Sequence, residues 1–353
     1  MAKKKKEIKN ETAITKVLKA IIVVLGIFVI LVALVFLGAQ LYFGVPVLDY
    51  YRSSEKAFVI PGLSDNMVPQ GLDYLEEDGI ALVGGYQNDA SPSRIYKVDI
   101  ESGESLGYVL LGDEAGRGIA PHAGGLAAHG EYVYVAGDED AFVYVYKLDD
   151  VMNSEDGTVL KSLGKFYTMY GESDIRADFM CFTDDMFIVG EFYREPNYPT
   201  PDDHVFEWGE GDVNHALALC YRISDDEDAR FGLEIKPCNV LSLPDQVQGI
   251  EVYDNKIWLS QSYATSKSTI SCYNAFDDAS NKYVDVKNVG IINVFALDSK
   301  TFVSSFEAPP MAEEIFILDG KMYIMCESAS NKYVFGNFTG ARWCYATDIN
   351  KVT

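Results

Sequence analysis

Asp178, Glu191, Glu313, Glu314 and Glu327 fall at or beside matching positions of a repeated strand pattern. Carboxylates that crowd into one space must bind a cation, pair with a base or hold protons. A cation held by oxygen ligands alone would be calcium, with Asp178, Glu191, Glu313 and Glu327 as its ligands. His122, in PHAGG, titrates in the range of a general base, and Glu314 is the other candidate base. Arg176 would anchor an anion. Gln70, Gln248 and Gln261 occupy the matching positions in other units and would hydrogen-bond a ligand. Trp208 would give that ligand an apolar surface. The plainer reading is a set of polar groups lining a water-filled channel.

These residues are placed by short strands rich in Val, Ile, Tyr and Phe, separated by Gly, Asp and Asn turns. A first strand reads QGLDYL at 70–75, GGLAAH at 124–129, DFMCFT at 178–183, QGIEVY at 248–253 and EEIFIL at 313–318. The intervals are 54, 54, 70 and 65 residues. Second strands follow as IALVGGY, YVYVAGD, MFIVGEF, KIWLSQS and KMYIMCE. Third strands read RIYKVDI, YVYKLDD, LCYRISD, SCYNAFD and WCYATDI. Fourth strands read LGYVLL, LGKFYT, CNVLSL and FVSSFE. Four-stranded units at this spacing predict an all-β, five-bladed β-propeller.

The last unit lacks a fourth strand, and KAFVIPGL at 56–63 would supply it and close the ring. INVFALDSKTF at 292–302 competes with SCYNAFD for the third strand of blade four, so six blades would result from an extra sheet there. A β-sandwich is the alternative architecture.

In a propeller the first strands line the central channel. The first-to-second turns here are short, whereas the second-to-third loop at 193–215 and the connection at 112–123 are long. One face is therefore trimmed and the other elaborated, as functional loops on a rigid scaffold tend to be. Tyr193, Tyr198, Phe206 and Trp208 would form an exposed aromatic patch if the 193–215 loop binds a protein. The acids of that loop, Asp202, Asp203, Glu207, Glu210 and Asp212, have no EF-hand spacing and read as solvated.

Cys220, Cys272 and Cys344 share one repeat position with Ile95 and Val145, which marks it as a small apolar core site. Equivalent positions in different blades lie too far apart for disulfides, so these are expected to be buried free thiols. The adjacent Tyr column (Tyr96, Tyr146, Tyr221, Tyr273, Tyr345) reads as packing. No CxxC or Cys/His spacing suggests zinc.

The chain has 353 residues, with 29 basic and 53 acidic side chains and a net charge of −24. Seven lysines fall in residues 1–19, leaving 22 basic against 51 acidic side chains beyond. Such a surface repels phosphate backbones and argues against nucleic-acid binding. Residues 20–43 form an uncharged apolar run of 24 residues, roughly 36 Å as a helix and enough to span a bilayer. The run is longer than the apolar region of a signal peptide. The preceding lysines predict a cytoplasmic N-terminus and an extracytoplasmic bulk. The expected organisation is a basic tail (1–19), a transmembrane helix (20–43), a linker (44–55) and a propeller (56–353). NFT at 337–339 would accept a glycan only in a eukaryotic secretory pathway.

The PQGL, HAGGL and QGI first strands resemble those of extracytoplasmic bacterial propellers of the broad quinoprotein/YVTN-like type. The five-blade plan with a QGL first strand also resembles plant-type glutaminyl cyclases. The latter resemblance implies a channel-centred enzyme with a tryptophan-lined pocket, in which Gln70 and the amide and carboxylate residues of blades four and five face the substrate. None of Trp208, Trp258 and Trp343 falls on a first strand. Gluconolactonase-like propellers are similar in shape, and that similarity implies acidic and amide metal ligands. The leading expectation is a membrane-anchored binding module at the cell envelope, recognising a peptide, glycan or envelope protein. The alternative is a channel-centred hydrolase, lyase or cyclase supported by calcium. A purely structural subunit is the third reading.

Overall fold

A computed structural model describes residues 13–137 and 141–352. Most of the lysine-rich tail, residues 1–12, lies outside the described residues. Helix α1 (Ala13–Gly44) holds the apolar run, has no side chain buried against the protein along its spanning window, and reaches a mean hydropathy of 3.5 there. It ends at Gly44, just before Pro46, which cannot continue the hydrogen-bond ladder.

Five four-stranded antiparallel blades follow. Blade one is built from Met67–Leu75, Ile80–Gln87, Arg94–Asp99 and Ser105–Leu110. Blade two is built from Leu126–His129, Tyr132–Ala136, Phe142–Lys147 and Gly164–Tyr167. Blade three uses Phe179–Phe182, Met186–Gly190, Ala216–Arg222 and Asn239–Leu243. Blade four uses Val247–Tyr253, Lys256–Gln261, Ser268–Asn274 and Phe302–Ala308. Blade five takes Ala312–Leu318, Lys321–Cys326 and Trp343–Asp348, and closes with Ser54–Val59. The closing strand runs antiparallel to the third, from Ser54 opposite Thr347 to Val59 opposite Trp343. The ring closure expected from 56–63 is therefore present, two residues earlier.

The region that left blade four ambiguous forms neither a sixth blade nor a third strand. Asn281–Val286 and Gly290–Ala296 make a hairpin that joins blade three, with Asn239 opposite Asn293 in parallel pairing. The hairpin covers the outer edge of blade three, which would otherwise present unpaired backbone groups. The chain then returns as the fourth strand of blade four.

The segment expected to be a linker, 44–55, is folded. Val45–Val47 is a 3-10 turn and α2 (Leu48–Arg52) follows it. Val47 and Tyr50 are buried in a core shared by blades four and five. Their apolar side chains gain more by that burial than by staying in water.

The Ile/Val/Cys column is buried throughout and its cysteines are free. The Tyr column is buried too, which agrees with packing. The glycines of the first strands serve the narrow channel. A Cβ on Gly124 would lie 2.6 Å from the Asp178 carbonyl oxygen, and one on Gly249 would lie 2.7 Å from that of Glu313. First strands of neighbouring blades can touch only where the side chain is absent.

Candidate functional site

The first strands of blades one, four and five each shift register near the channel mouth, between Pro69 and Leu72, Val247 and Gly249, and Ala312 and Ile315. A bulge puts an extra residue on one strand and re-aims its neighbours. In blade five the displaced pair is Glu313 and Glu314, and both are buried.

Glu314 faces the axis. One of its oxygens accepts the backbone N–H of Leu72 at 3.2 Å and of Leu126 at 2.8 Å, and the other accepts that of Met180 at 2.7 Å. One carboxyl on blade five thus holds the first strands of blades one, two and three. Burial pushes its pKa well above the usual carboxylate range, against the pull of the three amides. Glu314 does not line the cavity described below.

That cavity, of 1020 Å³, opens on the loop-rich face over the channel mouth. Gln70, His122, Arg176, Asp178, Gln248 and Glu327 all contribute to its wall. Six of the residues expected from the sequence are therefore brought together. His122 is exposed and its ring lies 4.8 Å from that of Tyr86. Arg176 donates to the Phe192 carbonyl at 2.8 Å, and Asp178 accepts the Phe192 N–H at 2.6 Å. This clamp fixes the start of the long loop. Burial raises the Asp178 pKa, opposed by Arg176.

The other expected residues lie outside the cavity wall. Glu191 accepts from the Leu217 N–H at 3.0 Å and lies 2.8 Å from Nδ1 of the fully buried His204. It pins the 193–215 loop from beneath. Gln261 donates to the Asp245 carbonyl and accepts from Ser271, so both ends of its amide are used. Trp208 donates to Ser242 Oγ at 3.0 Å and stacks on Phe206. Phe206 is buried and Tyr193 stacks on His215 at 4.5 Å, so the expected aromatic patch does not form. Of its four residues only Tyr198 is exposed, and it lines the cavity.

Glu313 approaches the Gln248 amide at 3.4 Å. Glu327 accepts the hydroxyls of Tyr333 at 2.7 Å and Tyr86 at 3.2 Å, with the Lys332 ammonium 4.0 Å away. Burial raises the pKa of both carboxyls, and their proximity to each other raises that of Glu313 further. Two carboxyls in so dry a place share a negative charge more readily than they carry two. Among the described residues, no group of three or more His, Cys, Asp or Glu side chains is arranged to hold a metal ion. Asp178, Glu191, Glu313 and Glu327 are each engaged separately, by a backbone amide, a histidine, a carboxamide and tyrosines. They do not fit a calcium site, which needs six to eight oxygens around one point.

The sequence reading missed the part of the wall built by Tyr86, Gln87, Ser262, Lys332 and Tyr333. Tyr86 directly follows the aligned Gly85, and Lys332 and Tyr333 sit in the second-to-third loop of blade five, on the elaborated face. Gln87 and Ser262 are each 3% exposed. Gln87 Oε1 and Ser262 Oγ have no hydrogen-bond partner in the protein. Both oxygens are also closed to solvent, so these two residues line the cavity through their other atoms.

Asp73 and Glu251, on first strands below this level, were also missed. Asp73 accepts the N–H of Ala128 at 2.6 Å, and burial raises its pKa to about 7. Burial also raises that of Glu251. Between about pH 4 and 7 the folded chain keeps a proton on Asp73 that the unfolded chain has released. Stability from this group is full below pH 4 and is lost as pH rises through 7. The Tm of the full chain in detergent should be higher at pH 5 than at pH 8 by about 5 °C. An equal or higher Tm at pH 8 would contradict this ionisation pattern.

No protein-family model matches the chain, and no curated protein does. Solved structures do. The chain is similar to a glutaminyl cyclase from Myxococcus xanthus at 11% identity and a TM-score of 0.36, over 84% of this chain and 92% of that one. It is similar to the PQQ-bound aldose sugar dehydrogenase from Streptomyces coelicolor at 13% identity and a TM-score of 0.41, over 78% of each. It is similar to BamB from Moraxella catarrhalis at 10% identity and a TM-score of 0.31, over 73% of this chain and 82% of that one. These likenesses concern the propeller fold.

Proposed function

We propose that the chain is a membrane-anchored binding module of the cell envelope. Its N-terminus is cytoplasmic, its propeller is extracytoplasmic, and its loop-face cavity takes a small polar ligand. The observation that carries this reading is the cavity itself, a space of 1020 Å³ over the channel mouth whose wall joins amides, tyrosines and charged groups. The cavity is at the upper end of the usual size for small-ligand sites. Its wall combines amides (Gln70, Gln87, Gln248) with aromatic rings (Tyr86, Tyr263, Tyr333), which suits a ligand with both hydrogen-bonding and apolar faces. Arg176 lies 3.8 Å from Asp178 and Lys332 lies 4.0 Å from Glu327, so each cation of the wall already faces a carboxyl and a ligand of small net charge fits. A neutral glycan or a short peptide meets these terms. Lysines before the apolar helix support the orientation.

The test is a thermal-shift series on the full chain in detergent, with neutral mono- and disaccharides and dipeptides as probes. At least one class should raise the Tm, by about 2 °C or more at saturation. A flat response to every probe at millimolar concentration would count against the reading.

An enzymatic reading, as a hydrolase, lyase or cyclase, draws on one observation. Glu327 lines the cavity with its pKa raised, which favours the protonated form a general acid needs. Turnover of a bound probe, lost in Glu327→Gln while binding persists, would support it.

A further inference from the structure

The loop that follows Tyr333 joins the cavity wall to the apolar helix. Phe335 lies 5.8 Å from Tyr333 and stacks on Phe43 of α1 at 5.6 Å. Phe338 meets Phe36 of α1 edge-on at 5.0 Å. Phe36 precedes Phe43 by seven residues, roughly 10 Å along the helix, and both belong to the apolar run. From α1 the chain continues through α2 and enters the closing strand at Ser54, opposite Thr347. Thr347 is near the end of its strand away from the loop-rich face. The contacts of Phe36 and Phe43 are what bring α1 against the loop-rich side of blade five.

The composition of this loop differs from the rest of the propeller. No acidic residue occurs from Ser328 to Thr347, in a chain with 53 of them. Val334 is 76% exposed, and Phe335 and Phe338 are half-buried and each meet a ring of α1. Lys332 with Tyr333 and Arg342 with Trp343 flank the apolar stretch. Apolar tips bracketed by basic and aromatic residues are the composition of segments that settle at a membrane interface. Gly336 packs so closely on the Ser328 carbonyl that a side chain there would clash, which holds the loop in this form.

We propose that Val334–Phe338 is a second membrane contact, seated in the bilayer interface beside α1, and that it sets the cavity mouth against the membrane surface. The proposal rests on the reading of α1 as a membrane anchor. The ligand of the cavity is then presented at the level of the lipid headgroups.

The experiment uses the full chain in phosphatidylcholine nanodiscs, in a Cys238→Ala background because Cys238 is the one cysteine not fully buried. Single cysteines at Leu31, Val334, Asn88 and Glu77 carry a fluorophore, and nitroxide lipids act as quenchers. Leu31 reports the span, Val334 the loop, Asn88 the cavity rim and Glu77 the trimmed face. Acyl-chain nitroxide should quench the probe at Val334→Cys about 3-fold more than that at Glu77→Cys, and headgroup nitroxide should quench Asn88→Cys above Glu77→Cys. Quenching at Leu31→Cys with none at Val334→Cys would overturn the loop contact and leave the anchor standing. Loop quenching without rim quenching would overturn the placement of the mouth. No quenching at Leu31→Cys would overturn the anchor and this proposal with it.

Discussion

Glu314→Ala should lower the Tm of the full chain by about 10 °C or leave it aggregated. The side chain accepts three backbone N–H groups from three blades in the dry centre of the ring. Its removal leaves all three without an acceptor. Each orphaned buried amide costs about 1–3 kcal/mol, and water entering the cavity recovers only part of that. The total is roughly 3–6 kcal/mol, a large share of the stability of an ordinary domain. Glu314→Gln should fall between, because it keeps one accepting oxygen and turns an NH2 toward an amide donor. Differential scanning calorimetry of the three proteins checks the order. A Glu314→Ala protein that melts within about 2 °C of wild type would show that the carboxyl does not hold the blades together.

A chain begun at Ile60 should fail to yield soluble protein, whereas one begun at Gly44 should fold. The shorter chain loses the closing strand and exposes the Trp343–Asp348 edge of blade five. It also loses Val47, Tyr50 and Phe58, each buried and worth about 1.5–3 kcal/mol. Size-exclusion chromatography and circular dichroism distinguish the outcomes. A folded, monomeric 60–353 chain would mean that the ring does not depend on its N-terminal strand.

The repeat made the propeller legible. Five aligned first strands and a last unit one strand short were enough to place the blades and the closure. The hairpin at 281–296 was not legible, because its alternation is that of any strand and only tertiary pairing assigns it to blade three. The folding of 44–55 was not read because helices of three and five residues, buried through single side chains, leave little periodic signal. The site was legible to the level of the ring position. Gln70, Asp178, Gln248 and Glu327 were placed in the cavity wall by alignment alone. The bulges at the channel mouth broke the two-residue alternation there and sent Glu314 to the axis. Glu191 was claimed by His204, which lies thirteen residues away on a loop whose path the sequence does not specify. Tyr86, Gln87, Ser262, Lys332 and Tyr333 come from outside the aligned first-strand set. Tyr86 and Gln87 end the second strand of blade one, and Ser262, Lys332 and Tyr333 lie beyond strands, so only the folded ring brings them together.

The cavity as a ligand site is tested most directly by truncating two exposed side chains of its wall, Asn88 and Tyr198. Titration calorimetry would compare the full chain with the Asn88→Ala/Tyr198→Ala variant, using the probe that gives the largest thermal shift. Both side chains are exposed, so the Tm of the variant should stay within about 2 °C of wild type. Affinity should fall about 10-fold or more, the equivalent of 1.4 kcal/mol. Unchanged affinity at unchanged Tm would mean that the ligand binds elsewhere and that this cavity is a water-filled channel mouth.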